Sequence, residues 1–249
     1  MLCFGEYNNL PVDFAGFRMV LNCVKTIRLS VVMYLRLDLH VHSFHSGDSV
    51  NLFEEIALRC RKLGLDGYAL CDHDSLDGLK EAQGKAGNLI VIPGVEVTAR
   101  GAHILCLDPN EIVPSGLSIA ETVEKIKVQG ATAILAHPFR ISRNLLRFRE
   151  AEAAGFDAIE IANSAQLPFR MVMELNRGMA LRLKMPQTGG SDSHIPETVG
   201  RSYTVVESES RDPENVIAAI KKGKTEVIGS GIGFMERFRK TWRVINKHL

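Results

Sequence analysis

The chain reads as an α/β protein whose strands close towards a barrel, and three observations lead there. From residue 34 onward, short apolar runs of strand length alternate with segments of helical periodicity. No GxGxxG or GxxxxGK phosphate loop follows any of these runs, which disfavours an open nucleotide-binding sheet. Side chains that bind divalent metals recur where the runs end. Such alternation implies βαβ units and a mainly parallel sheet.

Tyr34 to Val41 is the first strand expected. Val50 to Leu63 has Leu52, Ile56 and Leu63 at helical spacing, and Gly64 stops it. Tyr68 to Cys71 is a short strand ending in Asp72-His73-Asp74, and Leu76 to Gly84 a short helix that Asp74 would cap. Leu89 to Val97 is an apolar strand broken by Pro93-Gly94, expected to form a hairpin with His103 to Leu107. Ser118 to Gln129 is a helix opened by a Ser118/Glu121 capping box. A strand Ala131 to Ala136, a helix Arg143 to Ala154 and a strand Ala158 to Ile161 follow. Next come a helix Leu167 to Leu183, with Pro168 near its start, and Pro186 to Gly190 leading into Ser191-Asp192-Ser193-His194. Pro213 to Lys222 is a helix, Glu226 to Ile228 a strand and Phe234 to Asn246 a terminal helix.

A chain of 249 residues suits one large α/β domain, and no repeat or linker divides it. Residues 1–32 share little pattern with the rest. Met33 precedes the first strand, so translation starts there and residues 1–32 are a non-native extension, or those residues are an arm packed on the surface; residues 33–249 form the domain. A net charge of +1 argues against a dedicated nucleic-acid binder. Five scattered Cys without CxxC spacing read as reduced core residues of a cytoplasmic protein. Met19 to Leu35 carries Asn22, Lys25 and Arg28, too polar for a membrane span.

The metal-binding types carry the strongest signal. His40 and His42 sit two apart at a strand end and so share a face. His73, Glu96, His103, His137, Asp192 and His194 follow at the C-terminal ends of later strands, which converge on one face in an α/β barrel. Of eight His, seven lie at these positions or, as His45 does, beside them; the exception is His248. Imidazole with carboxylate suits Zn, Mn or Fe, and one Glu among many His is placed to bridge two ions.

The motifs DLHVHSFHSGDS, CDHDS, PGVEVT, GAHIL, AHPF and GGSDSH, in that order between about residues 36 and 200, resemble the PHP superfamily (polymerase and histidinol phosphatase). The resemblance implies a distorted, TIM-like (β/α)7 barrel and a phosphoesterase centre of two or three divalent ions, Mn, Zn or Fe, with Mg also admissible. Carried over by motif, the first ion takes His40, His42, Glu96 and Asp192. The second shares Glu96 and adds His103 and His137, and the third takes Asp48, His73 and His194. His45 falls where a non-ligand is expected and faces substrate or solvent. Asp72 reads as an orienting neighbour of the ligands.

The expected reaction is attack on phosphorus by a hydroxide held between two ions. Asp192 and His194 take part in catalysis, His194 as proton donor if it is not itself a ligand, and Arg140 stabilises charge on the equatorial oxygens. Arg140, Arg143 and Asn163 are the candidate substrate contacts; Ser164, Arg170 and Arg201 also lie near strand-end loops. The expected substrate is a small phosphorylated metabolite, such as a nucleotide bisphosphate or the end of a short oligonucleotide. Histidinol phosphate is the alternative. A non-catalytic PHP module of a nucleic-acid-processing complex is the alternative of another class, though such modules are expected to lose ligands and here the set is complete. The terminal helix carries a stripe of Phe234, Phe238, Trp242 and Ile245, expected to pack on the barrel or else to meet a membrane surface or partner. No sequence feature sets the oligomeric state.

Overall fold

The computed structural model describes residues 12–14, 17–22, 28–139 and 148–247. In chain order they form β1 (Val12–Phe14), β2 (Phe17–Asn22), β3 (Arg28–Val41), α1 (Phe53–Leu63), β4 (Gly67–Leu70), α2 (Leu79–Lys85), β5 (Ile90–Ala99), β6 (Ala102–Leu107) and α3 (Ile119–Val128). There follow β7 (Thr132–Ala136), α4 (Phe148–Ala154), β8 (Ala158–Asn163), α5 (Phe169–Leu183), β9 (Gln187–Gly190), β10 (Ser202–Ser208), α6 (Pro213–Lys221), β11 (Thr225–Gly229) and α7 (Phe234–Lys247).

One sheet runs β1 to β9 in order, with β10 paired to β3 and β11 beyond it. It is nearly closed. The Asp192 N–H donates to His40 O at 2.8 Å and the His42 N–H to Ser193 O at 3.1 Å, stitching the chain after β9 to the end of β3. The interior is filled by Leu37, Leu39, Ala69, Ile92, Leu105 and Ile134, with Val216 and Ile220 of α6 in the same cluster. α6 follows Ser208, which pairs with Met33, seven residues before His40 in β3, so the helix plugs the barrel end opposite His40.

The sheet is less parallel than expected. β5 and β6 form the expected hairpin, because only Arg100 and Gly101 join them and leave no room for a crossover helix, and β6 is antiparallel to β7 as well. Pro93 and Gly94 do not break the strand: β5 is continuous through them, Pro93 pairing with Leu70. β10 has no counterpart among the expected strands, although its burial alternates residue by residue. Part of the segment 1–32 is described too: β2 pairs with β3 from Phe17↔Met33 to Asn22↔Arg28. α2 begins at Leu79, not Leu76. Asp74 caps nothing; its Oδ1 accepts the Thr98 N–H at 2.8 Å and ties the loop to β5. The Ser118 capping box and the Gly64 stop, at φ 67°, form as expected. Among the described residues no helix is long and apolar enough to cross a membrane.

Gly190 sets how closely β9 approaches β3. A Cβ there would lie 2.4 Å from His40 Cβ and 2.6 Å from His40 N, so the obstruction includes backbone. Gly190→Ala is expected to cost about 1–3 kcal/mol and lower the thermal midpoint by roughly 3–10 °C. An unshifted midpoint in a melting experiment would contradict this packing.

Candidate metal centre

His40 and His42 leave β3 on one face, with their Nε2 atoms 3.1 Å apart. Glu96 Oε2 lies 3.3 Å from His40 Nε2 and 3.2 Å from His42 Nε2. Asp192 Oδ1 is 3.3 Å from His42 Nε2 and 3.8 Å from His40 Nε2. Ligands about 2.0–2.2 Å from a tetrahedral ion lie about 3.3–3.6 Å from one another, so His40, His42 and Glu96 could share one divalent ion, with Asp192 beside them.

The other oxygen of Glu96 faces a second pair. Glu96 Oε1 is 2.8 Å from His103 Nδ1 and 3.0 Å from His137 Nε2. One buried carboxylate therefore presents an oxygen to each of two donor sets, as a bridging ligand must. The third set also gathers: His194 Nε2 is 2.9 Å and His73 Nε2 3.6 Å from Asp48 Oδ2. His42 belongs to this group as well, and His73 Nδ1 reaches Glu96 Oε2 at 3.3 Å. The sets are thus contiguous rather than separate.

His103 does not sit at the C-terminal end of its strand, as expected. It is the second residue of β6, and it reaches the metal face because β6 runs antiparallel to its neighbours. His137 and Asp192 take left-handed backbone, at φ 30° and 53°. This conformation is uncommon outside glycine, and here it bends both side chains into the cluster at strand ends.

Glu160 was not singled out in the sequence, yet it organises the centre. Its Oε1 is 2.9 Å from His40 Nδ1; its Oε2 accepts the His137 N–H at 2.9 Å and an Asn163 Nδ2–H at 3.1 Å. A carboxylate on Nδ1 fixes the tautomer that leaves Nε2 free to bind metal. The available signal was a lone acid in the wholly buried strand β8. The Asn163 side chain is buried and engaged within the protein: its amide donates to Glu160 and to Asp192 Oδ2, and its oxygen takes the Ala165 N–H. Ser164 is likewise occupied, its hydroxyl 2.6 Å from that of Ser202.

Asp38 and Ser46 were also missed. Asp38 accepts the N–H groups of Ser191 and Gly200 at 2.8 Å each, locking β3 to the loop that carries Asp192. Burial pushes its pKa up to about 6 against those bonds. Ser46 Oγ donates to Asp48 Oδ1 at 3.2 Å and accepts the His73 N–H at 3.3 Å. Asp72 orients the neighbouring loop, accepting the Ser43 N–H and O–H at 2.6 Å each. His45 stands off, 3.8 Å from Glu81 and stacked on Phe53. Arg140, Arg143 and His248 lie outside the described residues. Arg170 is exposed on α5, and Arg201 pairs with Glu236.

The centre opens into a cleft of about 550 Å³ whose far wall is α7, through Arg237, Lys240 and Thr241. The apolar stripe of α7 does not pack on the barrel. Phe234 is 81 %, Phe238 60 %, Trp242 63 % and Ile245 58 % exposed, and the helix lays its polar face on the barrel instead.

Without metal the cluster is balanced by protons. Burial disfavours a charged His42, but bonds to Asp192 and Glu96 override it and raise its pKa to about 9. Burial opposes charge on His40 too, yet Glu160, Glu96 and Asp192 hold its pKa well above the usual imidazole range. Burial pushes Glu96 and Asp192 up, but the His40 charge, together with hydrogen bonds from His103 and His137 to Glu96 and from His42 to Asp192, holds both well below the usual carboxylate range. A divalent ion must displace the His42 proton, so loading at pH 7.5 is expected to release about one proton or more. Metal binding accordingly weakens as pH falls below about 9. Titration calorimetry in Tris and in PIPES would reveal this as buffer-dependent heat; equal heats would refute it.

The model for the PHP domain matches residues 38–113, and the model described as PHP-associated matches residues 174–225. An uncharacterised protein of Methanocaldococcus jannaschii is 36 % identical over 118 residues, 42 % of this chain and 68 % of that protein. The chain belongs to the PHP superfamily. A 5′–3′ exoribonuclease of Haemophilus influenzae is 32 % identical to this PHP chain over 108 residues, 41 % of it and 39 % of the exoribonuclease. Among solved structures, a two-domain Bacteroides vulgatus protein described as containing a predicted PHP-like metal-dependent phosphoesterase matches with a TM-score of 0.69. It is 18 % identical, over 97 % of this chain and 74 % of that one. The protein is a PHP-family metal-dependent phosphoester hydrolase.

Proposed function

We propose that this hydrolase acts on a small phosphorylated nucleotide, such as a nucleotide bisphosphate or the end of a short oligonucleotide. The observation that carries the reading is the cleft. Its floor is the His/Asp/Glu cluster, its far wall carries Arg237 and Lys240, and Leu167 and Ile232 supply apolar surface beside them. A volume of about 550 Å³ is on the scale of a nucleotide-sized ligand. The exoribonuclease relative supports the same substrate class.

The ligands assigned are His40, His42, Asp48, His73, Glu96, His103, His137, Asp192 and His194. Two or three divalent ions held by them supply Lewis-acid polarisation of phosphoryl oxygens and acidification of water to near neutrality. The chain positions this chemistry. Glu160 presents His40 Nε2, Glu96 spans both donor sets and Asn163 steadies Asp192. His194 lines the cleft with Nε2 on Asp48, where it can pass a proton to the departing oxygen when free of metal. Arg140 and Arg143 remain candidate phosphate contacts.

Phosphate release from phosphomonoesters, nucleotide bisphosphates, short oligonucleotides and histidinol phosphate tests this, with Mn, Zn, Mg or EDTA added. Metal-dependent release, greatest from the nucleotides and lost in His40→Ala, is expected. Preference for histidinol phosphate would overturn the substrate assignment, and failure to turn over any ester would overturn the reading itself.

A further inference from the structure

We propose that Lys240 binds a non-bridging oxygen of the substrate phosphate, and that α7 serves to carry this ammonium across the cleft from the metal centre. The proposal deepens the phosphoesterase reading and rests on it.

Five cations stand on α7, and four are committed to the protein. Arg237 donates to the carbonyls of Ala165 and Gln166, at 3.0 and 3.3 Å. Arg239 and Arg243 grip Glu197, at 3.2 and 3.1 Å. Lys247 Nζ donates to the carbonyls of Phe44, Ser46 and Ser49, at 2.6–3.0 Å, in the loop that bears Asp48. Lys240 is the fifth. Among the described residues no side-chain hydrogen bond or ion pair satisfies its Nζ, and it lines the cleft near enough to His194 for its charge to act on that imidazole.

The orientation of the helix makes the same point. An amphipathic helix ordinarily buries its apolar stripe. Here Phe234, Phe238 and Trp242 face outward while the polar face is anchored on both sides of the cleft. The anchors on Ala165 and on the Asp48 loop bracket Lys240 along the helix. An unpaired ammonium facing a centre that collects divalent cations is repelled when the cleft holds no anion. A phosphate between them reverses the sign, accepting from Lys240 on one side while its other oxygens face the metal donors.

The test is titration of inorganic phosphate into the metal-loaded full chain by calorimetry. Lys240→Met keeps the aliphatic stem, and is expected to weaken phosphate binding roughly tenfold or more, with metal content and thermal midpoint unchanged. Lys240→Arg is expected to recover most of the affinity. Arg243→Met, which removes a surface cation of the same helix, is expected to leave it unaltered. Equal affinity in the wild type and Lys240→Met would overturn the proposal. So would an equal loss in Arg243→Met, or no phosphate binding by the wild type. Lys240-dependent phosphate binding without hydrolysis of any ester would uphold the proposal and sink the phosphoesterase reading alone.

Discussion

Glu96→Ala is expected to lower metal-dependent hydrolysis on the order of a thousandfold or more, because a metal ion supplies several kcal/mol of charge stabilisation. Glu96 is the group that both principal donor sets share. Its Oε1 meets His103 and His137, and its Oε2 meets His40, His42 and His73. Removing it leaves those imidazoles around a void with no carboxylate in common. The metal-free variant also loses a counter-charge shared by protonated His40 and His42, beside Glu160 and Asp192, and breaking such a buried pair costs about 3–5 kcal/mol. Glu96→Gln keeps the shape and one acceptor oxygen, so it separates charge from packing. Metal content by elemental analysis, read beside phosphate release, is the check. Wild-type metal stoichiometry in both variants would show that Glu96 bridges nothing.

Glu160→Gln is expected to weaken metal binding by about 10–100-fold while touching no proposed ligand atom. Every contact of the Glu160 carboxylate is with a donor: the His40 ring N–H on Oε1, the His137 backbone N–H and the Asn163 amide on Oε2. An amide NH₂ must face one of those groups, whichever way it is turned. The buried mismatch costs about 1–3 kcal/mol and releases either the His40 tautomer or the His137 loop. Competition with a chelator measures the change in affinity, and a melting curve on metal-free protein measures the stability term. Unchanged affinity with a lowered midpoint would reduce Glu160 to a structural residue.

The candidate ligands were legible because they announce themselves in short motifs. His40 and His42 share a strand face two residues apart, and Asp192 and His194 repeat that spacing after β9. Glu160 was not legible, because its partners lie 120 and 23 residues away and an acid in β8 has no local pattern. His103 was found but assigned to the wrong end of its strand, since the direction of β6 follows from a hairpin and not from the βαβ rhythm of the remainder.

Local chemistry was therefore enough for what depends on nearest neighbours in the chain: the alternating elements, the Ser118 cap, the Gly64 stop and the candidate metal-binding side chains. Tertiary structure alone decided which face of α7 meets the barrel. Periodicity reveals that a helix has two faces, but the side that is buried depends on what the rest of the fold presents to it. Here that is the rim of the cleft, with the carbonyls of Ala165 and Ser46 and the carboxylate of Glu197, which the cations of α7 satisfy. The apolar stripe is left outside, and Lys240 is left facing the metal centre.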